Sequence, residues 1–321
     1  MLQTLPLVLF IVMTELSIGA FTVLFVLDWR KEVKRSFLIT YGLIYVVLTG
    51  LTYLFQQNFS TPDLLNSFPQ LDKAWTGNET LPMLLFLLLM LPYNLFLWLD
   101  KNAGVSGKES QEKGQKRPSP VRLLRMISGV LTVMAGVATL FVMAMIYRPV
   151  APTVLGGAFT IASFFAAALA LGGVMTAMWL GHWYLVTPAL SEKPLQFATT
   201  LVLLGVLAQV IFAVTAGPTV TNGSSTTATT PAVTATAPAA TPVPNAKVKP
   251  SGAPVTTPLG TDAIGWLRIL VSFVIPLVLG GIAWKLIRDR SFQSATGMLY
   301  LVVVCTLAGE AIARGLFLIG I

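Results

Sequence analysis

The chain has 321 residues, of which 55% are apolar and only 11% charged, less than half the charged share of an ordinary soluble domain. This excludes a water-soluble globular protein and describes an integral membrane protein. The formal charge of +8 is no sign of a nucleic-acid partner, because the basic residues are sorted by loop.

Eight segments, at 5 to 27, 37 to 56, 80 to 98, 123 to 147, 153 to 178, 196 to 216, 263 to 284 and 295 to 318, are long and apolar enough to span a bilayer, which takes about 20 helical residues. Continuous runs of this length do not fit the alternating pattern of a membrane barrel. The predicted fold is therefore all-α, a polytopic membrane bundle of about eight transmembrane helices. No Lys or Arg precedes the first segment and no small-residue cleavage site follows it, so it reads as a retained helix and not a signal peptide. Pro92 and Pro276 fall inside segments and predict kinks.

The first, third, fifth and seventh connections hold 15 of the 21 Lys and Arg residues and 7 of the 13 acids. The excess of basic residues assigns these loops to the cytoplasm and both termini to the extracytoplasmic side. On that outer side, residues 57 to 79 form a polar loop containing Trp75. Residues 217 to 262 are a Thr/Ala/Pro-rich stretch that cannot bury enough apolar surface to order itself. The expected organisation is a six-helix unit (1–216), a disordered extracytoplasmic linker (217–262) and a two-helix unit (263–321).

Chemistry is constrained by what the chain carries. Cys305 is the single cysteine and His182 the single histidine, so this chain offers no Cys-ligated iron–sulfur or metal site and no pair of axial histidines for haem. It has no phosphate-binding loop and no nucleophile motif. Catalysis by this polypeptide alone is not expected; a lipid-soluble cofactor or a partner subunit must bring the chemistry.

Six polar residues within the spans are the site candidates, since polar side chains in hydrocarbon are costly. Glu15 lies about ten residues into the first segment, near the bilayer centre, with Gly19 and Thr22 on the same face. It fits either a helix-packing contact or a proton path. Glu310 and Arg314 are spaced i, i+4 with the acid first, the better order for an intrahelical ion pair. Counted from the outer end they lie roughly 15 Å and 10 Å deep, and the antiparallel neighbours bring Gln209 and Arg268 to the same level. This band reads as an ion-pair network fixing the last helix or as the polar end of a pocket for a lipophilic head group. His182, in "MWLGHWYLVTP", sits among Trp179, Trp183 and Tyr184. An interfacial aromatic belt accounts for it, and so does a ligand-binding histidine.

The first segment, "LPLVLFIVMTELSIGAFTVLF", and the last, "GMLYLVVVCTLAGEAIARGLFLIG", resemble the first and last helices of the membrane-anchor subunits of dimethyl-sulfoxide-reductase-type molybdopterin oxidoreductases. In the last, the "GE", "GR", "F" pattern is carried by Gly309, Glu310, Arg314 and Phe317. Membrane subunits of polysulfide and nitrite reductases share the theme. The resemblance implies an anchor in a prokaryotic cytoplasmic membrane. It would dock an iron–sulfur electron-transfer subunit and a molybdopterin catalytic subunit, and pass them electrons from quinol. On that reading Gln209, Arg268 and Arg314 bind or border the quinol, with His182 a further ligand-binding candidate, and Glu310 accepts its proton. The family's histidine-bearing stretch after the second helix is not matched here. Two other functions remain open: a proton-coupled permease working through Glu15, and a purely structural subunit of a respiratory or photosynthetic complex.

Overall fold

A computed structural model describes residues 5–101, 103–105, 120–150, 154–187, 191–215 and 263–318. The expected linker, 217 to 262, lies outside the described residues. Among them the structure is helical, apart from one isolated antiparallel bridge between Lys34 and Gly104. Eight helical spans are long and apolar enough to cross a membrane, as the sequence pattern requires.

The spans are built from α1 (Leu5–Arg30), α2 (Arg35–Phe59), α5 (Thr80–Leu99), α6 (Pro120–Tyr147), α7 (Val154–Val186), α8 (Lys193–Thr215), α10 (Ile275–Arg288) and α11 (Phe292–Leu318). Two short helices, α3 (Pro62–Asn66) and α4 (Lys73–Thr76), cap the α2–α5 connection, and α9 (Ala263–Arg268) leads into α10. Helices overrun the apolar segments: α1 continues to Arg30, α6 begins at Pro120 and α7 reaches Val186. Apolarity marks the hydrocarbon layer, whereas backbone hydrogen bonding continues past it.

α1 is the hub. It packs on α2, α6, α7 and α11, and its span is the most buried of the eight. The α1–α7 crossing is tight because Gly19 and Gly172 face each other, and a Cβ on either would overlap the other helix's backbone. Gly172→Ala is therefore expected to destabilise the purified protein by about 1–3 kcal/mol. A thermal unfolding curve matching the parent would show that the two backbones do not meet there. α11 packs on α7 and α1, and α10 on α8, so the last two spans close onto the same bundle as the first six.

Pro92 sits inside a continuous α5. At Pro276 the expected kink takes the form of a π-helical turn, Ile269–Val274. Proline has no N–H to give to the carbonyl four residues back, and just before it the Ile275 N–H bonds to the Leu270 carbonyl, five residues away.

Antiparallel helices give the bundle a terminal end, where α1 begins and α11 finishes, and a basic end. At the basic end three charges that the sequence pattern assigns to loops are buried. Arg125 is fully buried between Asp28, at 3.3 Å, and Asp100, at 3.2 Å. The Tyr93 hydroxyl donates to Asp28 at 3.0 Å. Nearby, exposed Arg290 donates to Glu192 at 2.9 Å and holds that carboxyl below its ordinary titration range.

Candidate functional site

At the terminal end, α7, α8, α9 and α11 line an open cleft. Its wall is apolar, with Phe159, Phe212 and Phe317, and its polar lining includes Ser163, Gln209, Arg268, Glu310 and Arg314. The four residues that helix counting puts in one band, Gln209, Arg268, Glu310 and Arg314, thus share one cleft.

Local sequence explains how they meet. Gly309 lets α11 approach the π turn so closely that a Cβ there would lie 2.6 Å from the Ser272 Cα. Arg268 is the residue immediately before that turn. The next residue after Gly309 is Glu310, and Arg314 follows one turn later on the same face. Small residues at the contact bring charged side chains of neighbouring helices together.

Arg314 is the centre of the arrangement. Its Nη2 donates to Glu15 Oε1 at 2.5 Å, and its Nη1 to Ser163 Oγ at 3.4 Å. Its guanidinium carbon lies 4.1 Å from the centre of the Phe164 ring. Glu310, the expected intrahelical partner, is farther away, at 3.8 Å from Arg314 Nε. The main ion pair is thus interhelical, joining α1 to α11. An α-helix fixes i, i+4 neighbours near each other, but the side-chain ends choose the partner with the better hydrogen-bond geometry.

Glu15, Glu310, Arg268 and Arg314 are buried, with at most 4% of each exposed. Two acids and two bases balance formally, which is how a charged group persists in an apolar interior. Arg268 also lies 5.8 Å from the centre of the Phe273 ring. The Gln209 Nε2 atom is buried and has no hydrogen-bond partner among the described residues.

His182 is placed elsewhere. It is exposed near the other end of α7 and is not part of the cleft lining. Its aromatic neighbours instead bind the bundle together, with Trp183 edge-on to Phe37 at 5.7 Å and Trp179 against Tyr41 at 5.1 Å. Sequence reasoning missed Ser163, which reads as one more small residue in α7. It also missed Glu79, which lies in the stretch taken for a polar loop and is only 1% exposed. The capping signals beside it were legible: Thr61 caps α3, and Asp72 caps α4.

No curated protein and no solved structure matches the chain. The family model described as "DMSO reductase anchor subunit (DmsC)" matches residues 119–320, more than half of the chain. That stretch contains the cleft residues Ser163, Gln209, Arg268, Glu310 and Arg314, together with Gly309 and Phe317 of the closing helix. Glu15 and the first three spans lie outside it. The matched helices and the eight-span architecture agree with the resemblance of the closing helix, and the chain belongs to the DMSO reductase anchor subunit (DmsC) family.

Proposed function

We propose that this multi-pass membrane protein is the quinol-oxidising anchor of a DMSO-reductase-type complex, with the cleft as its head-group site. The reading places it in a prokaryotic cytoplasmic membrane. The terminal end faces outward and seats an iron–sulfur electron-transfer subunit and, beyond it, a molybdopterin catalytic subunit. Family membership supports the anchor role and the association with such subunits. The observation that carries the quinol assignment is a cleft with aromatic walls, lined by residues of the membrane spans, that holds the buried Glu310, Arg314 and Arg268.

The residues present fit a quinol head group. Gln209 offers a buried, unused N–H donor, Arg268 offers a cation in the cleft lining, and the phenylalanines accept an apolar ring and tail. A quinol supplies two electrons and two protons when it is oxidised. Glu310 is the carboxylate that faces the cleft, so it takes the proton given up at the ring oxygen. Arg314 holds Glu310 and Glu15 in place. The α2–α5 connection, with α3 and α4 at the terminal end, contributes to the docking surface for the partner. It is anchored to the bundle by the Asp72 N–H bond to the Ile146 carbonyl, at 3.0 Å, and by Trp75 packed edge-on to Phe141.

The permease reading takes Glu15 as its substrate or proton site; in the structure Arg314 donates to Glu15. The reading is tested by isolating the tagged protein from its native membrane with its partners and assaying quinol oxidation. Iron, molybdenum and quinol-dependent turnover are expected together. Glu310→Gln should lower turnover by about 100-fold, within the range for loss of a proton acceptor, while the complex still assembles. Unchanged turnover would remove Glu310 from the mechanism, and recovery of the chain alone without iron or molybdenum would sink the anchor assignment.

A further inference from the structure

On the α2, α5 and α6 side of α1 lies a second group of buried polar side chains that the reading above does not use. Glu79 and Gln56 are each 1% exposed, and Tyr147, Ser60 and Thr49 are fully buried. Ser60 donates to the Glu79 carboxylate at 3.1 Å. Gln56 faces the same carboxylate. Yet neither amide atom of Gln56, nor the Tyr147 hydroxyl, nor the Thr49 hydroxyl oxygen has a hydrogen-bond partner of good geometry among the described residues.

These residues come from a pattern in the helices. Tyr45, Thr49, Thr52 and Gln56 recur at helical spacing along the buried face of α2, and Thr52 meets Ser17 of α1 at 3.3 Å. An apolar stripe is the ordinary content of such a face, so a polar one needs another account. Buried polar atoms that lack protein partners are as a rule satisfied by bound water, and a polar site with several such atoms is where water is retained.

Tyr147 connects this group to the cleft. Its ring stacks on Phe164 at 6.0 Å and meets Phe317 edge-on at 6.1 Å. Phe164 is the ring over which Arg314 sits, and Phe317 is a wall of the cleft. Tyr147 is also within electrostatic reach of both Arg314 and Glu79. Beyond Glu79, the surface is one residue away, at exposed Asn78.

We propose that Tyr147, Gln56 and Glu79, with water bound among them, form a proton-release path that leads from the Glu15–Arg314–Glu310 group to the α2–α5 connection at the terminal end. The proposal rests on the quinol reading. Each quinol oxidised yields two electrons, which leave to the iron–sulfur partner, and two protons, which leave by this path. The Tyr147 hydroxyl gives one proton forward as it receives one from behind. Glu79 takes a proton and loses it to solvent, so neither residue is changed over a cycle.

The test uses the intact complex and a soluble short-tailed quinol. Tyr147→Phe keeps the ring on Phe164 and Phe317 and removes one oxygen; Glu79→Gln removes the acceptor. Each is expected to lower the quinol kcat at least about tenfold, as loss of a proton-transfer group does, with KM unchanged and a larger kcat ratio between H2O and D2O. Glu79→Asp, which keeps a carboxylate, should recover most of the rate. Electrons fed by reduced viologen directly to the iron–sulfur partner should reach the acceptor at the parental rate in every variant. Parental kcat and isotope effect in both Tyr147→Phe and Glu79→Gln would overturn the path and leave the quinol reading standing. A rise in KM alone would also overturn it, by making these residues binding contacts. A parental complex active with viologen but inert with quinol would sink the quinol reading and the path with it. If Glu79→Gln fails to assemble, Tyr147→Phe and Gln56→Leu decide the matter by the same readouts.

Discussion

Replacing Arg314 by Met is expected to remove most of the folded protein from the membrane fraction. Arg314 joins α11 to α1 through Glu15 and lies nearest, on its own helix, to Glu310. Both acids are buried, and Arg314 is the cation that bridges them. Methionine fills similar space but leaves two buried carboxylates with Arg268 as the remaining cation of the group, and removing one partner of a buried pair costs about 3–5 kcal/mol. Lysine should fail in part, because a point charge cannot hold Glu15 and Ser163 at once with the guanidinium's geometry. The informative variant is the double change Glu15→Gln with Arg314→Met, which removes the charge on both sides of the shorter bridge. Its cost should fall below the sum of the single changes by about 0.5–3 kcal/mol, the usual range for directly coupled residues. Yield of monodisperse protein and its thermal unfolding in detergent measure this. Additive losses would mean that Glu15 and Arg314 do not interact, and the α1–α11 bridge would have to be abandoned. The recovered double variant should still be inactive with quinol if the cleft is the working site, because the cleft has then lost the guanidinium that positions Glu310.

The fold was legible because lipid imposes a simple code: a run of about 20 apolar residues is a span. The site was legible only along each helix. Counting 1.5 Å per residue put Gln209, Arg268, Glu310 and Arg314 at one level, and they do share a cleft. Counting gives depth but not direction around the bundle. Hence Glu15, on α1, was placed near the bilayer centre with no partner named, whereas it accepts from Arg314 across a sequence separation of 299 residues. Which helices are neighbours depends on packing at places such as Gly19 against Gly172, and one sequence does not show which glycines face each other.

The charges at the basic end were missed for a different reason. Asp28 and Asp100 lie past the ends of the apolar runs, and Arg125, the third residue of one, was counted with the basic residues of the adjoining loop. The helical period could have found two of them. Asp28 falls on the face of Phe21 and Phe25, and Arg125 on the face of Gly129, Thr132 and Gly136, all of them buried. The polar stripe Tyr45, Thr49, Thr52 and Gln56 was open to the same test. Periodicity reports the buried face even where hydrophobicity has faded.

Arg125→Met should be at least as damaging as the change at Arg314, but with a different functional signature. It takes from Asp28 and Asp100 the buried guanidinium that lies between them. Two acids that share one cation repel each other once it is gone, and the cost of a broken buried pair, about 3–5 kcal/mol, is then a lower guide. Very little protein should fold. Adding Asp28→Asn and Asp100→Asn should bring it back, because neutral amides remove the repulsion and leave only polar groups to be satisfied, with Tyr93 still able to donate to residue 28. Asp28 is 13 residues from Glu15 along α1, about 20 Å at the helical rise, so this cluster holds the ends of α1, α5 and α6 together without reaching the cleft. The recovered triple variant should therefore oxidise quinol at the parental rate per assembled complex, whereas the recovered Glu15→Gln, Arg314→Met variant should not. Parental stability in Arg125→Met alone would show that the three charges do not form a buried cluster. A rescued triple variant that folds but has lost quinol turnover would show that the basic end takes part in the chemistry, and that proton movement is not confined to the terminal half of the bundle.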